Sequence, residues 1–123
     1  VECDTLCVAV GLSPLGELLW QAGCEMVHVP ALSGHVPKRN EDLSTSLPHI
    51  FVAGDVTGVE EASAAMVEGT LAGLSATKYL GKAMPDFEAK KADATEQLAA
   101  LRRGHVGERL NAGIAAATIG KEG

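Results

Sequence analysis

The segment most informative about the fold is TSLPHIFVAGDV, residues 45–56. Its apolar run, residues 50–53, is typical of a short buried strand, and Pro48 stands just before the run, where a strand start tolerates proline. Gly54 and Asp55 end the run, and small and apolar residues at helical spacing follow from about residue 60 to residue 80. The segment therefore predicts a strand, a tight turn and a long helix, in that order.

The residues before this segment predict further short elements. Residues 5–10, TLCVAV, predict a buried strand that ends at Gly11. Residues 15–22 predict one short helix closed by Gly23, and residues 26–29 predict another strand. Residues 32–42 are polar and contain Gly and Pro, which predicts a loop with room for one edge strand. Strands that alternate with helices in this way indicate the α/β class.

One face of the predicted helix 60–80 carries almost exclusively small residues. It consists of Ala62, Ala65, Met66, Gly69, Ala72, Gly73 and Ala76. A glycine inside a helix costs about 1 kcal/mol relative to alanine. We therefore expect another part of a protein to approach the helix closely at Gly69 and Gly73.

The charge distribution divides the chain in two. Residues 1–77 contain 10 acidic and 2 basic residues, a net charge of −8, whereas residues 78–123 contain 6 acidic and 8 basic residues, a net charge of +2. We expect a body of residues 1–81 and a helical C-terminal tail of residues 82–123, with the opposite charges helping to dock the tail on the body.

The tail itself predicts two helices. Pro85 is suited to open a helix that runs to about Arg103 and stops at Gly104, and residues 108–118 predict a last short helix. The tail contains the basic pairs Lys90–Lys91 and Arg102–Arg103. We expect both pairs to be solvated on polar helix faces.

The chemistry of this sequence is concentrated after the strand at residues 50–53. In open α/β sheets, ligands bind beyond the carboxyl ends of the strands. A carboxylate there, that of Asp55, can accept hydrogen bonds from ligand hydroxyl groups, and Gly54 lets the backbone approach a bulky ligand. The start of the next helix, near Ala62 and Ser63, presents free N–H groups and a partial positive charge. The alternative is that Asp55 only caps the turn or the helix.

Three motifs in register resemble the pyridine nucleotide-disulfide oxidoreductase superfamily. Residues 45–56 resemble its second flavin signature, residues 3–14 resemble the strand and G-x-x-P turn that close its NAD(P)-binding domain, and residues 64–73 resemble its last flavin-domain helix. Residues 34–37, GHVP, and 58–62, GVEEA, are most similar to the larger subunits of sarcosine-oxidase-type and opine dehydrogenases. The resemblance covers about residues 3–81 and implies a partial FAD/NAD(P)-binding Rossmann-like domain.

The resemblance implies roles for particular residues. Gly54 and Asp55 would contact the ribityl chain of FAD, and the backbone of Ala62 and Ser63 would contact the flavin ring and favour negative charge on it. Gly11 would lie near the nicotinamide nucleotide. The reaction would be hydride transfer to or from the flavin, with no residue of this chain acting as a catalytic acid or base.

The chain also departs from the family pattern. No two glycines stand two residues apart, so the G-x-G-x-x-G motif that holds the FAD pyrophosphate is absent. We therefore expect a C-terminal segment of a flavoenzyme, inactive alone and unable to hold FAD tightly. It would need the missing N-terminal segment of the same protein, and other subunits or a homodimer are possible partners. The alternative is a non-catalytic assembly or oligomerisation module of a multi-subunit flavoenzyme.

Composition excludes several other classes. The net charge of −6 argues against a nucleic-acid-binding surface, and no apolar run is long enough for a transmembrane helix. The four histidines have no metal-ligand spacing, so no metal site is expected. The cysteines, which contain no C-x-x-C pair, are expected to be buried, reduced thiols. Reduced thiols favour a cytoplasmic location.

Overall fold

The computed structural model describes residues 2–120, which form four helices and one hairpin. The helices are α1 (Glu17–Gln21), α2 (Ala62–Tyr79), α3 (Phe87–Leu101) and α4 (Gly104–Ala116). The strands are β1 (Met26–Val29) and β2 (Gly34–Pro37), and 3₁₀ turns occupy Pro30–Leu32 and Gly54–Thr57. This mixture of helices with a two-stranded sheet is compatible with part of an α/β domain.

The hairpin and α4 share the first apolar cluster. Strands β1 and β2 pair antiparallel, with Val29 opposite Gly34. Val29, Leu32, Val36 and Ala117 are buried together, and Leu110 and Ile114 of α4 pack against them. A Cβ built on Gly113 would lie 2.8 Å from Leu32 Cγ, so α4 sits on the hairpin loop as closely as a glycine permits.

Helices α2 and α3 pack on each other and on the loop that precedes them. Leu43 of this loop, Leu71 of α2 and Ala94 of α3 form the second buried cluster. Both tail helices therefore cover apolar surface of the body. The division into residues 1–81 and 82–123 stays a prediction.

Most of the predicted elements are confirmed, with small shifts in their ends. The short helix is α1, and Gly23, at φ +86°, closes it as predicted, with Cys24 N–H donating to Leu19 O. Strand β1 and helix α2 lie where the pattern predicts them, and β2 falls within residues 32–42, the predicted loop with room for one edge strand. Helix α3 is two residues shorter at each end than expected, and α4 begins at Gly104, four residues early.

Two predicted strands are wrong. Residues 5–10 have no regular secondary structure and form no ladder with any of residues 2–120, and Leu6, Val8 and Val10 are 79%, 65% and 90% exposed. An apolar run can be a buried strand only where neighbouring strands flank it. At residues 50–53, the pairing is limited to one isolated bridge, Ser44 with Phe51, so this run belongs to a hydrogen-bonded loop.

The expectation for the small face of α2 is also wrong for the described structure. The buried residues of α2 are Ala64, Glu68, Leu71, Leu74 and Ser75, on the other side of the helix. Met66 is 76% exposed, and a Cβ on Gly69 or Gly73 would meet no atom of residues 2–120 within 4 Å. The glycines therefore face open space here.

The three cysteines differ in environment. All are free; Cys24 is buried, as expected, but Cys3 and Cys7 are exposed because their segment packs on no neighbouring strand. Across residues 2–120, no helix combines the length and apolarity that a membrane span requires.

Candidate functional site

The 3₁₀ turn Gly54–Thr57, here called the Asp55 turn, joins the loop before it to the start of α2. Ala53 is extended and Gly54 has φ +73°, a left-handed conformation that glycine adopts without strain. A Cβ on Gly54 would also lie 3.3 Å from Ala65 Cβ. Glycine at position 54 thus lets the turn lie flat against α2 while Asp55 remains exposed.

The N-terminus of α2 follows the Asp55 turn after four residues. Glu61 is the N-cap residue, and no side chain hydrogen-bonds to the cap. Ala62 and Ser63 are exposed in the first turn. Helix α2 therefore presents its partial positive charge to solvent beside the Asp55 turn.

A fully buried carboxylate, that of Glu68, lies behind the turn. Glu68 Oε2 accepts a hydrogen bond from Gly54 N–H at 2.8 Å and lies 3.0 Å from Thr57 Oγ1. Glu68 Oε1 accepts hydrogen bonds from Arg39 Nη1 at 2.8 Å and Arg102 Nη2 at 2.6 Å. Burial alone raises the pKa of Glu68, but the charge of Arg39 and the hydrogen bonds from Arg102, Arg39 and Gly54 outweigh burial and lower the pKa.

Arg102, at the end of α3, connects the tail to this carboxylate. Its guanidinium also pairs with both oxygens of Glu60, in the loop before α2. Burial lowers the pKa of Arg102, but the hydrogen bonds to Glu60 and Glu68 raise it overall. The expectation that Arg102 is solvated is wrong, since its side chain is 9% exposed, whereas Arg103 is exposed as expected. The ion pairs of Arg102 agree with docking of the tail by opposite charge.

A cavity of about 520 Å³ lies next to this network, between the loop before α2 and the junction of α3 with α4. Its lining includes Glu60, Glu61, Arg102, Arg103, Arg109 and Val106. Asp55 is not part of the lining, so the cavity and the Asp55 turn are separate surfaces.

The comparisons with known proteins add one finding. The model of the family described as pyridine nucleotide-disulphide oxidoreductase matches residues 1–69, more than half of the chain. This chain belongs to the pyridine nucleotide-disulphide oxidoreductase family. Members of the family typically bind FAD and NAD(P). The comparisons with curated proteins and with solved structures gave no significant match.

The family relationship gives the predicted site residues a context. Gly54 and Asp55 belong to the Asp55 turn, which contacts α2 at Ala65 and Glu68, and Ala62 and Ser63 are the first two residues of α2. Gly11 is exposed, and a Cβ there would meet no described atom within 4 Å. No contact among residues 2–120 places Gly11 at the Asp55 turn.

The residues at the α2 N-terminus fit the sugar-alcohol part of a family cofactor. The Asp55 carboxylate makes no hydrogen bond within residues 2–120 and is exposed, so it is not the cap that the alternative reading required. Its oxygens remain able to accept hydrogen bonds from ligand hydroxyls. The sequence lacks the G-x-G-x-x-G motif, and with it the turn that binds the FAD pyrophosphate in this family. The fit to a family cofactor therefore rests on the Asp55 carboxylate and does not include the pyrophosphate.

Sequence reasoning missed Glu68, Arg39 and Thr57. A signal was present for Glu68, because Ala64, Glu68, Leu71 and Ser75 follow one another at steps of four, three and four. A glutamate on that buried face needs cationic partners. The partners Arg39 and Arg102 are distant in sequence, and no local pattern identifies them.

Proposed function

We propose that this chain is a C-terminal segment of a FAD-dependent, NAD(P)-linked oxidoreductase and supplies part of its flavin site. The observation that carries the proposal is the exposed, unpartnered carboxylate of Asp55, in the turn that precedes the uncapped N-terminus of α2. Asp55 accepts hydrogen bonds from ribityl hydroxyls, and the glycine at position 54 lets the turn that carries Asp55 lie against Ala65 of α2. The backbone N–H groups of Ala62 and Ser63 favour negative charge on the flavin ring.

FAD supplies hydride transfer in this family, and the chain's own residues bind and orient it. Gly11 lies near the nicotinamide nucleotide in the whole enzyme. No residue of this chain is assigned a proton transfer. The three free cysteines favour a cytoplasmic location.

The subgroup that we favour is the larger subunit of sarcosine-oxidase-type and opine dehydrogenases. Residues 34–37, which carry its GHVP, form β2, and residues 58–62 lead into α2. An N-terminal segment of the same protein supplies the pyrophosphate-binding motif. The exposed apolar side chains of Leu6, Val8 and Val10 support such a partner, because they lack the neighbouring strands that a buried strand needs.

The proposal is tested by titrating the chain with FAD and following flavin fluorescence. We expect weak quenching by the wild type and none by Asp55→Ala, while Asp93→Ala, which removes an exposed carboxylate from α3, behaves like the wild type. Equal quenching by Asp55→Ala would contradict the role of Asp55. Stoichiometric FAD on the purified chain would contradict the segment proposal. Absence of binding in every variant would make the N-terminal segment indispensable, and adding it back would then be the decisive test.

A non-catalytic assembly module is the second candidate, favoured by the exposed apolar segment 6–12. Exposed apolar patches often mark protein–protein interaction sites, and a homodimer is the simplest assembly. Light scattering at micromolar concentration would detect it. Val10→Asp should then shift the chain towards the monomer, whereas Val106→Asp, at a similarly exposed position on α4, should not. A monomeric wild type would remove the support for this candidate.

A further inference from the structure

We propose that Glu68 is a positioning residue. Its buried carboxylate fixes the conformation of the Asp55 turn and thereby orients the side chain of Asp55 towards the ribityl chain of FAD. The inference rests on the proposed function of Asp55. It assigns a role to a residue that itself contacts no cofactor.

The two carboxylate oxygens of Glu68 have different partners. Oε2 faces both ends of the Asp55 turn, with Gly54 N–H at 2.8 Å and Thr57 Oγ1 at 3.0 Å. Thr57 Oγ1 is also 2.9 Å from Gly54 O, so its single hydroxyl proton is shared between two acceptors. One oxygen atom therefore holds the first and the last residue of the turn, and Asp55 lies between these two fixed points.

Oε1 holds the carboxylate in place from the other side. The guanidinium groups of Arg39 and Arg102 both donate to it. The side chain of Glu68 is 0% exposed. The two guanidinium groups therefore offset the desolvation cost of its buried negative charge. The position of Oε2, and so the position of the turn, is set by arginines that approach from the loop before Asn40 and from the end of α3.

Two hydrogen bonds lie within the turn region itself, from Thr57 Oγ1 to Gly54 O and from Gly58 N–H to Asp55 O, whereas Glu68 supplies hydrogen bonds that tie the turn to α2. Ala53 is extended and provides no side-chain cap, and Asp55 itself is exposed. Gly54 is buried, and its N–H would lack an acceptor without Glu68. In Glu68→Gln one amide oxygen would have to replace two carboxylate oxygens that now accept from Gly54 N–H, Thr57 Oγ1 and both arginines. Loss of the charge therefore weakens the bonds to the turn and should loosen it towards solvent.

A purely structural role for Glu68 makes a different prediction, because it would lower stability without a specific effect on the turn. Leu71→Ala is the matched control, since Leu71 lies one helical turn further along α2 in the separate cluster with Leu43 and Ala94. The experiment compares wild type, Glu68→Gln and Leu71→Ala by ¹H–¹⁵N NMR and measures backbone order parameters. It is repeated with FAD, followed through the amide shifts.

In Glu68→Gln we expect the order parameters of Asp55 and Val56 to fall from about 0.85 to below about 0.6, with the rest of α2 unchanged. The Gly54 amide proton should move upfield as its charged acceptor is lost. FAD binding should weaken by about tenfold, the loss expected from one misplaced charge-assisted hydrogen bond. Leu71→Ala should leave the turn ordered and the FAD affinity within about twofold of the wild type.

Thr57→Val keeps the inference testable if Glu68→Gln does not fold. It removes the hydrogen bond from Thr57 Oγ1 to Glu68 and keeps the one from Gly54 N–H. The order parameters of Asp55 and Val56 should therefore fall by less than in Glu68→Gln, and the Gly54 amide should keep its charged acceptor. An ordered turn in either folded variant, or an unchanged Gly54 amide in Glu68→Gln, would overturn the inference.

The outcome also separates this inference from the proposed function. If Asp55→Ala does not change FAD binding, the role of Asp55 fails, and Glu68 then has no ligand to aim at. If Asp55→Ala weakens FAD binding and Glu68→Gln does not, only the positioning role fails.

Discussion

Arg39 and Glu68 form an ion pair of 2.8 Å in which the two side chains are 4% and 0% exposed. Arg39 belongs to the loop that follows β2, and Glu68 lies in the middle of α2. The backbone of Arg39 also pairs with the end of the chain, since its N–H donates to Ala117 O and its carbonyl accepts from Ile119 N–H. This residue therefore connects the hairpin region, α2 and the segment after α4.

The first prediction concerns the stability supplied by this buried charge. Removing one partner of a buried pair leaves the other uncompensated and costs about 3–5 kcal/mol. Glu68→Gln should lower the free energy of unfolding by about this amount in urea titrations. Glu25→Gln, which breaks the exposed pair with Lys38 at 3.3 Å, should cost no more than about 1 kcal/mol. Equal losses in the two variants would contradict the structural assignment.

The second prediction concerns pH. The pKa of Glu68 is lower in the folded state than its ordinary value of 4.5. Between the two values the unfolded chain binds more protons than the folded chain, so stability rises with pH in that window. This contribution is fully present above pH 4.5 and is lost as pH falls through the folded pKa.

The measurement is the free energy of unfolding of wild type and Glu68→Gln at several pH values from about 6 down to about 3. The difference between the two proteins should shrink as the pH falls below 4.5, because the unfolded wild type binds a proton at Glu68 before the folded protein does, whereas the variant has no carboxylate at this position. A difference that stays constant over this range would contradict the low pKa of Glu68.

Much of the fold could be predicted from local patterns. Gly23 marks the end of α1, Pro30 ends β1, and Gly104 separates α3 from α4, because each of these residues acts on the backbone next to it. The strand predicted at residues 5–10 failed for a different reason. An apolar run becomes a strand only through pairing with other strands, and such pairing is not a property of the run itself.

The candidate site could be predicted only in part. Asp55 and Gly54 were found because they follow one another in a recognisable segment. The partners of Glu68 were not found, since Arg39 is 29 residues away and Arg102 is 34 residues away. Likewise, Arg102 and Arg103 are adjacent in sequence, and only the path of α3 decides which of them is buried.

That difference between Arg102 and Arg103 supplies the third prediction. Arg102→Gln should destabilise the protein by about 1.5–3 kcal/mol, because Glu60 and Glu68 lose a charged hydrogen-bond donor. Arg103→Gln, with the same change of charge at an exposed position, should stay within about 0.5 kcal/mol of the wild type. Hydrogen exchange should also be faster at the junction of α3 with α4 in Arg102→Gln only. Similar exchange in both variants would show that the ion pairs of Arg102 do not hold the tail.

The fourth prediction uses two helical glycines with opposite surroundings. At Gly73 of α2, a Cβ would meet no described atom within 4 Å, so Gly73→Ala should stabilise the chain by about 0.5–1 kcal/mol through helix propensity. At Gly113 of α4, a Cβ would lie 2.8 Å from Leu32 Cγ and 3.1 Å from Ala31 Cβ. Gly113→Ala should therefore destabilise the chain by about 1–3 kcal/mol, the usual cost of overpacking.

Thermal unfolding of the two variants beside the wild type measures both effects, and the sign of each is the test. A stabilising Gly113→Ala would mean that α4 does not sit on the hairpin loop as described. A destabilising Gly73→Ala at micromolar concentration would mean that something covers the small face of α2 in solution. The double variant Gly73→Ala/Val10→Asp then tests whether the group that covers this face is segment 6–12 of a second copy of the chain. If a second copy of the chain covers that face through segment 6–12, Gly73→Ala should become stabilising again once Val10→Asp has released the copy.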